Sequence, residues 1–133
     1  MATGPQSIGA KRVLVVEDEP AVRALLTLVL EAEDYDVETA EDGHEALGQV
    51  HLINPDVILL DLALPGMDGS DVIEALRADP GTRDVPIISM SARYGPLTAM
   101  EHPVQGYVPK PFDTEVLLEI LDEVLREPAS AIV

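Results

Sequence analysis

The chain is 133 residues long, 47% of them hydrophobic and only 3% aromatic, so a single domain with an aliphatic core is expected. Its 25 acidic and 8 basic residues give a formal net charge of −17, which argues against nucleic acid or an anionic membrane as a direct partner and suits a cation or a basic protein surface. Cysteine is absent, which excludes disulfide and thiolate chemistry. No apolar run approaches the length of a membrane span, and residues 1–11 lack the apolar stretch of a secretory signal, so a cytoplasmic address is expected.

Residues 1–11 read as a flexible tail. Arg12 to Val16 form a short aliphatic run, a strand that ends at Glu17-Asp18-Glu19-Pro20. Pro20 fits the first turn of a helix, and acids are favourable near its positive N-terminus. That helix is expected over 20–32. At 100° per residue its apolar positions sweep roughly 240°, against the ~100° stripe that a surface helix needs. The surplus is either covered by neighbouring elements or offered as a docking face. Residues 36–40 alternate as a weaker strand, and Asp42-Gly43 turns into a helix over 43–52.

Asn54-Pro55-Asp56 opens the most apolar stretch, Val57-Ile58-Leu59-Leu60, which runs without a polar transition into Asp61. Such a run reads as a strand buried on both faces. Pro65-Gly66 and Asp68-Gly69 punctuate a loop behind it. A buried strand that delivers a carboxylate to its own C-terminal end is how open α/β sheets present chemistry, although an Asp61 that merely capped a turn would look the same. A helix over 70–78, a strand over 85–90 ending at Ser91-Ala92, and a short strand over 106–109 follow. Pro109 suggests that the last strand lies at a sheet edge. Residues 93–105 contain Gly95, Pro96 and Pro103, which leaves room only for a short or irregular fourth helix. Asp113 caps a final helix with Leu117, Leu121 and Val124 at helical spacing, and residues 128–133 form a C-terminal tail.

Strands alternating with helices imply an α/β fold: a doubly wound, five-stranded parallel sheet in the flavodoxin-like order 2-1-3-4-5. In that order the strands ending in Glu17-Asp18, Asp61, Ser91 and Lys110 are neighbours. Their polar ends converge on one edge of the sheet.

These residues resemble the receiver domain of two-component response regulators. The likeness covers residues 12–127. It rests on Glu17-Asp18, on Asp61 within Leu60-Asp61-Leu62-Ala63-Leu64-Pro65-Gly66-Met67-Asp68-Gly69, on Ser91-Ala92, on Tyr107 and on Lys110-Pro111-Phe112. The resemblance implies a phosphoacceptor, read here as stand-alone. Asp61 would take a phosphoryl group from a phosphohistidine on a sensor histidine kinase or histidine phosphotransfer protein, and the switched surface would bind a downstream protein target. No enzyme activity beyond its own phosphorylation and dephosphorylation is expected. The resemblance further implies Mg²⁺ held by Glu17, Asp18, Asp61 and the backbone carbonyl of Ala63. It assigns phosphoryl binding and switching to Ser91, Ala92, Lys110 and Tyr107, and a cis peptide bond to Pro111.

The chemistry is ordinary for these groups. Aspartate is a competent nucleophile at phosphorus, and phosphoryl transfer depends mainly on positioning and charge neutralisation. Mg²⁺ takes carboxylate, carbonyl and water oxygens. Three crowded carboxylates repel one another until a cation arrives. Each residue also has a plain alternative: helix N-terminal acids for Glu17 and Asp18, a solvated Lys110, a strand-end hydroxyl for Ser91, a half-buried edge aromatic for Tyr107. Ala63 and Arg93, two residues beyond Asp61 and Ser91, are expected to border the path of a hydrolytic water and so to tune the phosphoryl lifetime. Two departures from the family stand out: a shortened stretch between Ser91 and Tyr107, and Pro109 immediately before Lys110. Competing readings are a pseudo-receiver scaffold and a Mg²⁺-dependent phosphohydrolase. The latter needs a second acid where this chain has Ala63.

Overall fold

The computed structural model describes residues 10–91 and 104–126. In chain order these form β1 (Arg12–Val16), α1 (Pro20–Ala32), β2 (Asp36–Ala40), α2 (Gly43–Ile53), β3 (Val57–Asp61), α3 (Gly69–Ala78), β4 (Ile87–Ser91), β5 (Gly106–Pro109) and α4 (Thr114–Arg126). The expected fourth helix within 93–105 lies outside the described residues, and α4 is the helix that follows Lys110-Pro111.

The five strands pair in parallel in the order β2-β1-β3-β4-β5. Side chains alternate across the pleat, so each apolar strand feeds two cores. Leu14, Val16, Ile58, Leu60 and Ile87 face one side, where Val50, Val72, Ile73 and Leu76 of α2 and α3 pack on them. Val13, Val15, Leu59, Ile88 and Met90 face the other, against Leu26 and Leu30 of α1 and Leu117 and Leu121 of α4. β3 is buried along its whole length, as a central strand covered on both faces must be. Each fully buried Leu or Ile contributes about 1.5–3 kcal/mol, so the centre of the sheet is the least mobile platform the chain can offer.

Turns follow local chemistry. Asp42 caps α2, its carboxylate accepting from the Glu45 amide at 2.8 Å, and Asn54 ends that helix in the left-handed region at φ 52°. Asp113 caps α4 by accepting from the Glu115 amide at 2.8 Å. β4 begins at Ile87, two residues later than the sequence suggests. Pro86 has no N–H for a ladder, and the Val85 amide is taken by the Thr82 carbonyl at 3.1 Å in the preceding turn. β5 is an edge strand ending at Pro109. Among the described residues no helix is long and apolar enough to cross a membrane.

Candidate functional site

The C-terminal ends of β1, β3, β4 and β5 form one rim. β1 runs directly into Glu17, whose amide donates to the Ala40 carbonyl at 3.0 Å. The Glu17 side chain is only 1% exposed. Its Oε2 accepts from the Glu19 amide at 3.2 Å, and its Oε1 from Lys110 Nζ at 2.7 Å. Asp61 is also buried. The Ala63 amide donates to Asp61 Oδ1 at 3.0 Å, and Lys110 Nζ donates to Oδ2 at 3.2 Å. Asp18 is exposed, yet it offers an oxygen to a group with Glu17 and Asp61 whose ligand atoms all lie within 4.8 Å of one another. Three carboxylates are hard oxygen donors, a set that fits Mg²⁺.

The electrostatics follow depth. Burial pushes the Glu17 carboxyl above its ordinary value. The Asp61 charge adds to that rise, and the hydrogen bond to Lys110 opposes it without prevailing. For Lys110 burial acts downward, but the hydrogen bond to Glu17 and the charges of Asp61 and Glu17 outweigh it, and the ammonium is held above its ordinary value. The two partners differ because Glu17 has a second carboxylate at its side, whereas Lys110 is 19% exposed and faces two acids.

Ser91 is buried at the end of β4. Its carbonyl accepts from the Lys110 amide at 3.0 Å and from the Tyr107 hydroxyl at 3.2 Å. Tyr107 is half-buried, and its ring spans from its register partner Ser89 to the strand end. The Lys110–Pro111 peptide bond is cis. Ala63 is exposed beside Asp61. The structure thus brings together Glu17, Asp18, Asp61, Ala63, Ser91, Tyr107 and Lys110. Ala92 and Arg93 lie outside the described residues, as does His102. His44 and His51 are surface residues, and His51, in the last turn of α2, pairs with Asp79 at the end of α3 at 2.7 Å.

Comparison with known proteins agrees with this geometry. The family model for the response regulator receiver domain matches residues 13–122. The chain belongs to the response regulator receiver family. The DNA-binding response regulator MtrA of Mycolicibacterium smegmatis is 40% identical over 126 residues, which is 90% of this chain and 54% of that protein. The chain therefore spans about half the length of the relatives it matches by sequence. Among solved structures, the Vibrio cholerae chemotaxis protein CheY4 superposes with a TM-score of 0.81 at 31% identity, covering 86% of this chain and 98% of that one. The receiver domain of the Pseudomonas aeruginosa sensor histidine kinase PA1611, which carries a magnesium ion in its active-site cleft, superposes with a TM-score of 0.81 at 28% identity, covering 88% of this chain and 98% of that one.

Two residues of this receiver escape a reading of the sequence. Gly69 packs its backbone so tightly under the end of β3 that a Cβ there would lie 2.5 Å from Leu62 Cα and 2.8 Å from the Asp61 carbonyl oxygen. Its amide donates to the Leu62 carbonyl at 3.0 Å, closing the loop behind Asp61. The sequence signal, Asp68-Gly69, reads only as turn punctuation. Arg23 is the other. It is a lone cation in the apolar arc of the first helix, and its guanidinium reaches back to the loop that carries Glu17 and Asp18.

Proposed function

We propose that this receiver is a phosphoacceptor switch in which Asp61 takes a phosphoryl group from a phosphohistidine on a sensor histidine kinase or histidine phosphotransfer protein. The observation that carries the reading is Asp61 itself: a buried carboxylate at the end of the central strand, with an ammonium 3.2 Å away and two further carboxylates around it. In the transfer, the phosphorus–nitrogen bond of the donor breaks and a bond from phosphorus to an Asp61 oxygen forms. The histidine nitrogen keeps the electron pair. Charge on the transferring group is spread over its equatorial oxygens, so the catalytic demand is for positioning and neutralisation.

Each side chain has a part in that. The Ala63 amide orients the Asp61 carboxylate through Oδ1. Lys110, tethered by Glu17, holds a permanent charge where the phosphoryl oxygens arrive. Glu17, Asp18, Asp61 and the Ala63 carbonyl would hold Mg²⁺, whose charge would neutralise the phosphoryl oxygens. Ser91, at the end of β4, and Ala92, next to it in the sequence, are the candidates for contacting the phosphoryl group. Tyr107, bonded to the Ser91 carbonyl, would report that contact to the β5 edge. Ala63 and Arg93, two residues beyond Asp61 and Ser91 in the sequence, are the candidates for tuning the lifetime of the phosphoaspartate. The receiver unit spans residues 12–127, a reading the family match over 13–122 supports. A net charge of −17 favours a protein as the output partner of this stretch, rather than nucleic acid or membrane. The same reading takes the protein as cytoplasmic.

Intact mass after incubation with acetyl phosphate and Mg²⁺ tests the proposal. The wild type should gain one phosphoryl mass, and Asp61→Asn should gain none. A wild type that stays unmodified, or an Asp61→Asn that is modified equally, overturns it.

A further inference from the structure

Arg23 sits in the first turns of α1, its own amide donating to the Glu19 carbonyl at 2.9 Å. Its Nη1 donates to the Glu17 carbonyl at 2.9 Å and to the Asp18 carbonyl at 3.3 Å. Among the described residues it forms no ion pair with a carboxylate. The guanidinium is therefore directed at the backbone of the two acids and leaves their side-chain oxygens to other partners.

That choice has a consequence for the site. Glu17 and Asp18 must point two carboxylates at the same place as Asp61, and oxygens within 4.8 Å of one another repel. Glu17 and Asp18 lie in the short connection from β1 to α1. One end of it is anchored by the Glu17 amide on Ala40. The carbonyls of residues 17 and 18 belong to neither strand ladder nor helix, and one rigid, permanently charged group from the helix covers both. We infer that Arg23 is a positioning residue that preorganises the Glu17-Asp18 pair for a divalent cation, an inference that rests on the metal reading above. Its positive charge alone would repel the cation, so the sign of the effect separates positioning from simple electrostatics.

The test compares wild type with Arg23→Ala, Arg23→Gln and Arg23→Lys, by Mg²⁺ calorimetry and, without metal, by hydrogen exchange at the Glu19 amide that bonds Glu17 Oε2. Circular dichroism checks that each variant is folded. Removing an outer partner of a ligand set weakens metal binding 10–100-fold, and a backbone support belongs at the low end, so Arg23→Ala should raise the Mg²⁺ dissociation constant about tenfold. Arg23→Lys, keeping charge but losing the fork, should recover part of the affinity, and the Glu19 amide should exchange faster in Arg23→Ala. Unchanged affinity and exchange in Arg23→Ala overturn the proposal. Tighter Mg²⁺ binding in both Arg23→Ala and Arg23→Gln also overturns it, since the field would then dominate. A wild type that binds no Mg²⁺ removes the metal reading itself, a failure distinct from an Arg23 variant that binds as well as wild type.

Discussion

Lys110 is bonded to two buried carboxylates, and which bond matters more can be read from geometry: 2.7 Å to Glu17 against 3.2 Å to Asp61. Glu17 thus acts as the tether, and Asp61 shares the ammonium with it. Removing one partner of a buried pair leaves the other charge uncompensated, which costs about 3–5 kcal/mol in full burial. Lys110 is partly solvated, so Lys110→Ala should lose about 1–3 kcal/mol in urea unfolding without metal. Mg²⁺ should restore much of it, because the cation answers the same two carboxylates. A Lys110→Ala protein as stable as wild type in metal-free buffer would contradict the tether. Gly69 makes a second prediction at this scale. A methyl group there meets Leu62 Cα at 2.5 Å, and that neighbour is backbone and cannot rotate away. Gly69→Ala should cost about 1–3 kcal/mol. It should also slow phosphorylation by acetyl phosphate, because the shift falls on the backbone of Asp61. A variant that unfolds at the wild-type urea midpoint and is phosphorylated at the wild-type rate would count against both claims.

At the scale of elements, α1 leaves part of its apolar surface uncovered by the sheet. Leu26 and Leu30 are buried, while Leu25 and Leu28 remain 46% and 69% exposed and Ala24 is open. Of the two outcomes for the wide apolar arc, burial by neighbours accounts for only part of it. The exposed strip of α1 is our candidate for the docking face of the proposed phosphodonor. Leu28→Asp should leave stability within about 0.5 kcal/mol. It should slow phosphotransfer from a protein phosphohistidine and spare phosphorylation by acetyl phosphate; equal slowing with both donors would place the effect at Asp61 instead. The strands and helices were legible because periodicity reports burial: four apolar residues before Asp61 require a covered strand, and Pro20, Asp42 and Asp113 mark helix starts by chemistry each residue carries alone. The convergence of Glu17, Asp61, Ser91 and Lys110 followed once strand order was assigned. Arg23 and Gly69 were not legible because their roles lie in distances to backbone atoms, and no spacing encodes which carbonyl a guanidinium will reach. The start of β4 was misplaced for a related reason. Val85 and Pro86 have strand-like composition, but neither gives an amide to the sheet, one being spent on the Thr82 carbonyl and the other missing, although the Pro86 carbonyl still accepts from the Ile58 amide at 3.0 Å.

The whole molecule carries a formal charge of −17, and among the described residues Glu17, Asp18 and Asp61 crowd together on one rim. Self-repulsion of this kind destabilises the compact state and is relieved by a bound divalent cation more than by diffuse salt. Mass action adds to the relief: Mg²⁺ at about 100 times its dissociation constant stabilises by about 2.7 kcal/mol, which for a domain of this size is on the order of 10 °C in Tm. The pH dependence has a definite sign. Glu17 is raised in the fold above its ordinary 4.5, chiefly by burial. A raised carboxyl binds its proton more tightly when folded, so its contribution to stability is fully present below 4.5 and is lost as pH climbs through the folded value. In that window the metal-free protein exchanges a neutral Glu17 for a charged one it accommodates poorly. Mg²⁺ needs the charged form. The Mg²⁺-induced rise in Tm should therefore be small at the acid end of the window and reach its plateau above it. Glu17→Gln should be more stable than wild type without metal at neutral pH, provided Lys110 still pairs with Asp61, and should show a smaller Mg²⁺ response throughout. Melting curves across this pH range, with and without Mg²⁺, decide the matter. A Mg²⁺ shift in the wild type that is independent of pH through the window would mean that Glu17 is not the group whose ionisation the cation requires.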